Sequence, residues 1–371
     1  ALDNYLTTIN DYAYLYVSLG CRDWIWILGR MLPAIPRLLR NGERHWRRVA
    51  SPRYAGVRDR WRGRPLQEMG ARELLRGAQE LADAMADYLT ALQVDAIGTA
   101  AGTEGLFTII NDKMIKREGD PPAPTLLLGA DSTPIRAEKA LYDLAQWCRE
   151  RDGLAVCLLE VPSRQLADQL DGDVPPGTED GDWIEWQRRF GNYLEEFGHS
   201  IYDLDFAKPL PVDDPLPLLE VLKMFIRGEG KDPHARQQES VARREQAVQT
   251  AMSRVKGLKR RLFRWSLRWA QTFACVREDS IFDIGLGYPV LRRMLRELGR
   301  RLTEAGAIAE ADDIYFLKVD EVERGASALD SGERPGIMVE RVEERRVLWQ
   351  AENRLVPPQQ LPDKGRVMGI K

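Results

Sequence analysis

Between Gln246 and Val276 the chain has no aspartate or glutamate, while Arg254, Lys256, Lys259, Arg260, Arg261, Arg264 and Arg268 accumulate. A second stretch, Arg30 to Arg64, holds eleven arginines and no lysine, against Glu43 and Asp59 alone. Both runs are local, because the net charge is −3, which gives nucleic acid no global attraction and predicts no nucleic-acid partner. Cysteine is scarce. Cys21, Cys148, Cys157 and Cys275 lie far apart without a CxxC pair, which excludes a disulfide scaffold and a structural zinc site and reads as reduced thiols of a cytoplasmic protein. No run reaches the roughly 18 uncharged apolar residues of a membrane span. GxGxxG, GxxxxGK[ST], HExxH and GxSxG are all missing, which removes the enzyme classes that rest on those loops and metal sites.

What is present is mostly helical pattern. A 44% hydrophobic content fills a core and 30% charge covers a surface, so 371 residues make one large domain or two ordinary ones. Residues 70–94 recur in Leu74, Leu75, Ala78, Leu81, Met85, Leu89 and Leu92 at spacings of three and four, an amphipathic helix. Tyr5, Leu6, Ile9, Tyr12, Leu15 and Tyr16 predict a helical face at the start. Residues 24–40 read as a core-facing helix broken at Pro33 and Pro36, or as a segment lying flat on a membrane. At 131–151, Asp131 or Ser132 is expected to cap a helix with Pro134 in its first turn. Residues 154–162 are the one strand-like run, equally consistent with a buried helix, and 312–322 predict a short strand or turn before a helix. A helix ends at Gly198, and one long helix is expected from about Arg236 to Cys275.

The expected fold is therefore mainly α: a multi-helix substrate-binding domain with a long central helix and little or no β-sheet. The expected division is a divergent helical part at 1–110 and a helical core at 111–371, which can also form one continuous domain. The chain opens at Ala1 and closes on "RVMGIK", which reads as a piece of a longer protein.

Four phrases carry a family likeness: "LLLGADSTPIRAEKALYDLA" (126–145), "YLEEFGHSIYDLDFAKPLPVDDPLPLL" (193–219), "RRLFRWSLRWAQTFACVREDSIFD" (260–283) and "LRELGRRLTEAGAIAEADDIYFLKVDEV" (295–322). In this order and spacing they resemble the central helical, substrate-binding domain of phosphoenolpyruvate-synthase-like, rifampicin-phosphotransferase-like dikinases. The resemblance implies a multidomain, ATP-dependent parent. An ATP-grasp domain, using ATP and Mg, phosphorylates a histidine on a swivelling domain, and that group passes to a hydroxyl of a small acceptor. Both other domains are absent from this chain and belong to the same polypeptide or to a separate subunit, so no cofactor and no metal is expected to bind here.

In that scheme Arg277 and Glu278 match the catalytic pair of the acceptor site. A fixed guanidinium clamps the charge on the moving phosphoryl group, and a carboxylate takes the hydroxyl proton. Read from the residues alone, the same pair is a helix-end ion pair worth roughly 0–1 kcal/mol. Four positions after the arginine, relatives often carry a basic residue where this chain has Ile281. His199 and Tyr202, in the extended stretch after Gly198, are substrate-binding candidates, with Asp203 and Asp205 nearby. Neither His199 nor His45 or His234 has the glycine-rich surroundings of a phosphocarrier. Trp265 and Trp269, with Tyr12, Tyr14, Tyr16, Trp24 and Trp26, line an apolar pocket for an aromatic or apolar acceptor, or else belong to the core. The competing classes are a stand-alone helical interaction module, whose basic run 254–268 binds an acidic partner, and a peripheral membrane protein without catalysis.

Overall fold

The computed structural model describes residues 6–9, 12–15, 42–170, 172, 174, 175, 177–201 and 204–356. The segment 24–40 and Tyr202 lie outside the described residues. The architecture is mainly α, as the periodicity predicts, with one two-stranded antiparallel hairpin of β1 (Leu6–Ile9) and β2 (Tyr12–Leu15). The hairpin corrects the helical expectation at residues 6–9 and 12–15, while Tyr5 and Tyr16 lie outside the described residues. Leu6 pairs with Leu15 and Ile9 with Tyr12, and both strands are rich in the β-branched and aromatic residues that favour strands.

The chain divides into two compact units, 38–298 and the combination of 1–37 with 299–371. The larger contains α1 (Ser51–Arg62), α2 (Ala71–Ala91), α3 (Thr99–Ile110), α4 (Thr133–Arg149), α5 (Asp152–Glu160), α6 (Ser163–Asp168), α7 (Asp180–Phe197), α8 (Leu216–Arg227), α9 (Pro233–Arg254) and α10 (Gly257–Phe282). Thus 154–162 is helix rather than strand. The single helix expected from 236 to 275 is two, because Val255 and Lys256 are extended and Gly257 takes φ +57°, a turn that only glycine adopts freely. Among the described residues no helix is long and apolar enough to cross a membrane.

α10 is the wall common to three cores. Phe263, Leu267 and Ala270 pack with Phe107, Ile115, Leu126 and Ala251. Phe273 and Val276 pack with Trp46, Tyr54, Tyr88 and Leu92. Phe282 joins the third, where Trp183, Trp186, Phe190, Tyr193 and Phe197 of α7 recur at three and four and form a ladder of ring contacts. One face of α10 is thus apolar along its whole length, and the basic run occupies the opposite face: Lys256, Lys259, Arg260, Arg261, Arg264 and Arg268 are all exposed. Each fully buried large side chain contributes about 1.5–3 kcal/mol, so the helix is anchored at both ends.

In the second unit, "DDIYF" forms a 3-10 turn, Ala311–Phe316, before a helix at Val319–Ser331, not a strand. Asp313 is buried and accepts the backbone N–H of Ala309 and of Glu310. Glu321, also buried, is gripped by Arg345 at 2.6 and 3.1 Å, and that contact holds its carboxyl down at about 2. Gly299 packs so closely on Ala311 that a Cβ there would lie 2.0 Å from its carbonyl oxygen. The last of the family phrases is therefore structural: its glycine and acids hold this turn in place.

Candidate functional site

The last two turns of α10 present "REDSIF", and Asp283 follows at the start of a 3-10 turn. Nε and Nη2 of Arg277 both donate to Oε1 of Glu278, at 3.0 and 2.9 Å. Nη1 lies 3.6 Å from Oε2 of Glu104 on α3. All three side chains are 37–40% exposed. The guanidinium is thus oriented between two carboxylates yet open to solvent, an arrangement that binding can rearrange at a cost of about 1 kcal/mol per exposed pair. Both of these hydrogen bonds fall on Oε1, and neither falls on Oε2.

The next acid has another duty. Oδ1 of Asp279 accepts the backbone N–H of Thr133 at 2.7 Å and its hydroxyl at 2.8 Å, and Arg136 stands 3.6 Å away. Asp279 therefore caps α4 from a neighbouring helix. This corrects the expectation that Asp131 or Ser132 would do so: Ser132 makes no capping bond, and Asp131 takes Lys139 and Gln237 instead. A carboxylate beside an open N-terminal amide is favoured by both the hydrogen bond and the helix dipole.

Below this surface the helix end is tied down by two phenols. Tyr88 donates to the carbonyl of Ser280 and accepts from Nε1 of Trp46; Tyr54 donates to the carbonyl of Ile284 and accepts from the amide of Gly287. These bonds satisfy carbonyls that a helix end leaves without partners. Burial pushes both phenols above their ordinary range, so they stay neutral.

Asp283, one turn after Asp279, is pushed up to about 6, first by burial and then by the charge of Asp279. A carboxyl whose folded value lies above its unfolded one stabilises the fold at low pH, and that contribution is lost as pH rises from about 4 to 6. Ionised at pH 7.5, it costs up to about 3 kcal/mol. Asp283→Asn is therefore expected to raise the melting temperature at pH 7.5 and leave it nearly unchanged at pH 4, read by circular dichroism. Equal shifts at the two pH values would mean that Asp283 titrates as an ordinary carboxyl.

His199 sits against Phe282, ring edge to face at 4.8 Å, with Nε2 enclosed and without a hydrogen bond. Burial first, then Arg58, lowers it to about 4. Its sign is opposite: it is neutral above pH 6.5, and stability is lost as pH falls from there toward 4. No hydrogen bond or ion pair joins it to Arg277 or Glu278. Trp265 and Trp269 pack on one another with ring centres 4.2 Å apart and planes tilted by 45°, and Trp265 is 41% exposed. They precede Arg277 by twelve and eight residues, about 18 and 12 Å along the helix axis. Of the candidates, then, Arg277 and Glu278 come together, the tryptophans pair with each other, and His199 packs one turn beyond. Ile281 is a half-open apolar position at 40% exposure. Among the described residues no three of His, Cys, Asp and Glu gather as metal ligands.

Sequence reasoning missed Glu104, Asp279 and Asp283. The last two carried a signal, acids four apart at a helix end. Glu104 carried none, since it arrives from a distant helix.

Residues 96–278, from the turn before α3 to Glu278, match the family described as the rifampicin phosphotransferase fourth domain. That segment contains Glu104, Arg277 and Glu278. The chain is 26% identical over 278 residues to a rifampicin phosphotransferase of Streptomyces sviceus, covering 72% of this chain and 30% of that protein. A second rifampicin phosphotransferase, from a Streptomyces species, is 27% identical over 279 residues, 71% of this chain and 30% of that protein. An uncharacterised protein of Mycobacterium tuberculosis is 42% identical over 69 residues, 19% of this chain and 7% of that protein. The chain thus spans under a third of the length of the curated phosphotransferases it matches, and residues 96–278 form a helical domain like the rifampicin phosphotransferase fourth domain.

Proposed function

We propose that this chain is the acceptor-binding part of a longer ATP-dependent phosphotransferase, in which Arg277 holds the moving phosphoryl group and Glu278 takes the proton of the attacking hydroxyl. The observation that carries the reading is the partly exposed guanidinium, whose two hydrogen bonds to Glu278 both fall on one carboxylate oxygen. A guanidinium presents a planar fork to phosphoryl oxygens, and a carboxylate within about 3 Å accepts a hydroxyl proton. The hydroxyl oxygen forms the new O–P bond as the P–N bond of the phosphohistidine breaks. The proton passes to Glu278, and the histidine nitrogen keeps the bonding pair. ATP and Mg are assigned to the other parts of the parent protein, and no step in this chain runs through them.

The acceptor is a hydroxyl-bearing molecule with an aromatic or apolar body. Trp269 and Arg277 stand about 80° apart around the helix and about 12 Å along it, within reach of one extended ligand. The test is Glu278→Gln in the longer protein. Product formation falls by about 10² or more, the usual worth of a positioned base, while nucleotide-dependent phosphorylation of the carrier histidine persists. Turnover within threefold of wild type would remove Glu278 from the chemistry.

A further inference from the structure

In the unit 38–298, away from Arg277, a cavity of about 490 Å³ opens between α9 and the segment 111–126. Its volume falls in the range of small-molecule sites, about 300–1,000 Å³. One side is a single face of α9, where Arg243, Ala247, Thr250 and Arg254 follow at helical spacing. Opposite stands a wide π-helical turn, Asn111–Ile115, a local irregularity that recurs at functional sites. Leu126, Ile115 and Ala251 give an apolar floor, and all three are buried in the adjoining core.

The polar groups of this cavity are unevenly matched. Nη1 of Arg254 holds both oxygens of Asp120, at 2.8 and 2.6 Å, and the two side chains are 25% and 18% exposed. That pair is fixed in place, and it leaves Nε and Nη2 of Arg254 without an acceptor among the described residues. Among the described residues Arg243 has no carboxylate partner, and the side chains of Gln246 and Thr250 make no hydrogen bond. Two guanidiniums against one carboxylate leave a net charge of +1 beside an apolar floor.

We propose that this cavity binds a small organic monoanion, a carboxylate, sulfonate or phosphate ester with an apolar body. The anionic group lies between Arg243 and the open edge of Arg254, and the body covers Ile115, Leu126 and Ala251. A guanidinium already oriented by Asp120 loses little freedom on binding, and its remaining edge suits two acceptor oxygens. The site shares no residue with the Arg277 centre and does not rest on the function proposed for it.

The probe is 8-anilinonaphthalene-1-sulfonate, titrated by fluorescence into the purified chain, with thermal melts to confirm that each variant is folded. One equivalent binds, and Arg243→Ala weakens it about tenfold or more, the worth of a lost charged hydrogen bond. Thr250→Trp, which fills the cavity from an exposed position, removes binding, whereas Arg277→Ala binds as wild type does. N-phenyl-1-naphthylamine, the same body without the sulfonate, binds about tenfold more weakly or worse. Wild-type binding in both Arg243→Ala and Thr250→Trp, loss of binding in Arg277→Ala, or equal affinity for the neutral analogue would each overturn the proposal.

Discussion

Replacing Arg277 with alanine in the longer protein is expected to lower phosphoryl transfer to the acceptor by about 10³ or more, the scale at which a single arginine acts in other phosphoryl-transfer sites. The charge on the moving group is spread over its equatorial oxygens, and only a donor already oriented toward them stabilises it without reorganisation. Contacts with Glu278 and Glu104 orient the guanidinium, and under the proposed function that orientation exists before the group arrives. Arg277→Lys keeps the charge but loses the planar fork, so it recovers part of the loss only. Stability responds differently. The ion pairs of Arg277 are exposed and contribute about 0–1 kcal/mol, so the melting temperature moves by no more than about 2–4 °C. The measurement is a single turnover from the phosphorylated protein to the acceptor, paired with a thermal melt. Rapid transfer by a folded Arg277→Ala protein would return the pair to an ordinary helix-end contact.

Local signals were legible in the sequence wherever the physics is local. The apolar line from Leu74 to Leu92 predicts α2 because burial alone decides that face. Arg277 and Glu278 could be paired on paper because they are neighbours in the chain. The errors arise where a distant contact or one backbone angle decides. Val241 through Phe273 reads as one unbroken apolar line, and nothing in that line reveals the positive φ at Gly257 that splits it into α9 and α10. At Leu6–Leu15 the apolar and aromatic residues satisfy a period of three to four and also a strand, and the pairing of Leu6 with Leu15 and Ile9 with Tyr12 decided for the strand. The cap of α4 failed for a related reason. Asp131 and Ser132 are good caps in isolation, but Asp279 reaches the same amide from α10 with a full charge. The third carboxyl of the centre, Glu104, becomes visible only when α3 lies along α10.

The approach that shapes the far edge of this centre sets the other large effect. Gly285 lies just past the end of α10, and a Cβ there would sit 1.8 Å from the carbonyl oxygen of His199 and 2.8 Å from Cγ2 of Ile201. Neither wall can yield cheaply. His199 is held by its buried ring against Phe282, and two residues after Gly285 the amide of Gly287 is bonded to Tyr54. Gly285→Ala must therefore move backbone rather than a side-chain tip, which places it at or beyond the upper end of the 1–3 kcal/mol typical of overpacking, about 3–5 kcal/mol. The expected fall in melting temperature is about 6–20 °C for a unit of this size. Gly102→Ala and Gly105→Ala are the controls, since an added Cβ meets nothing within 4 Å at either position of α3. Both gain helix propensity of up to about 1 kcal/mol, so they melt at or above the wild-type temperature. A Gly285→Ala protein that melts with these controls would show that the stretch carrying His199 is not seated on the end of α10, and the close-packed edge assigned to the site would have to be abandoned.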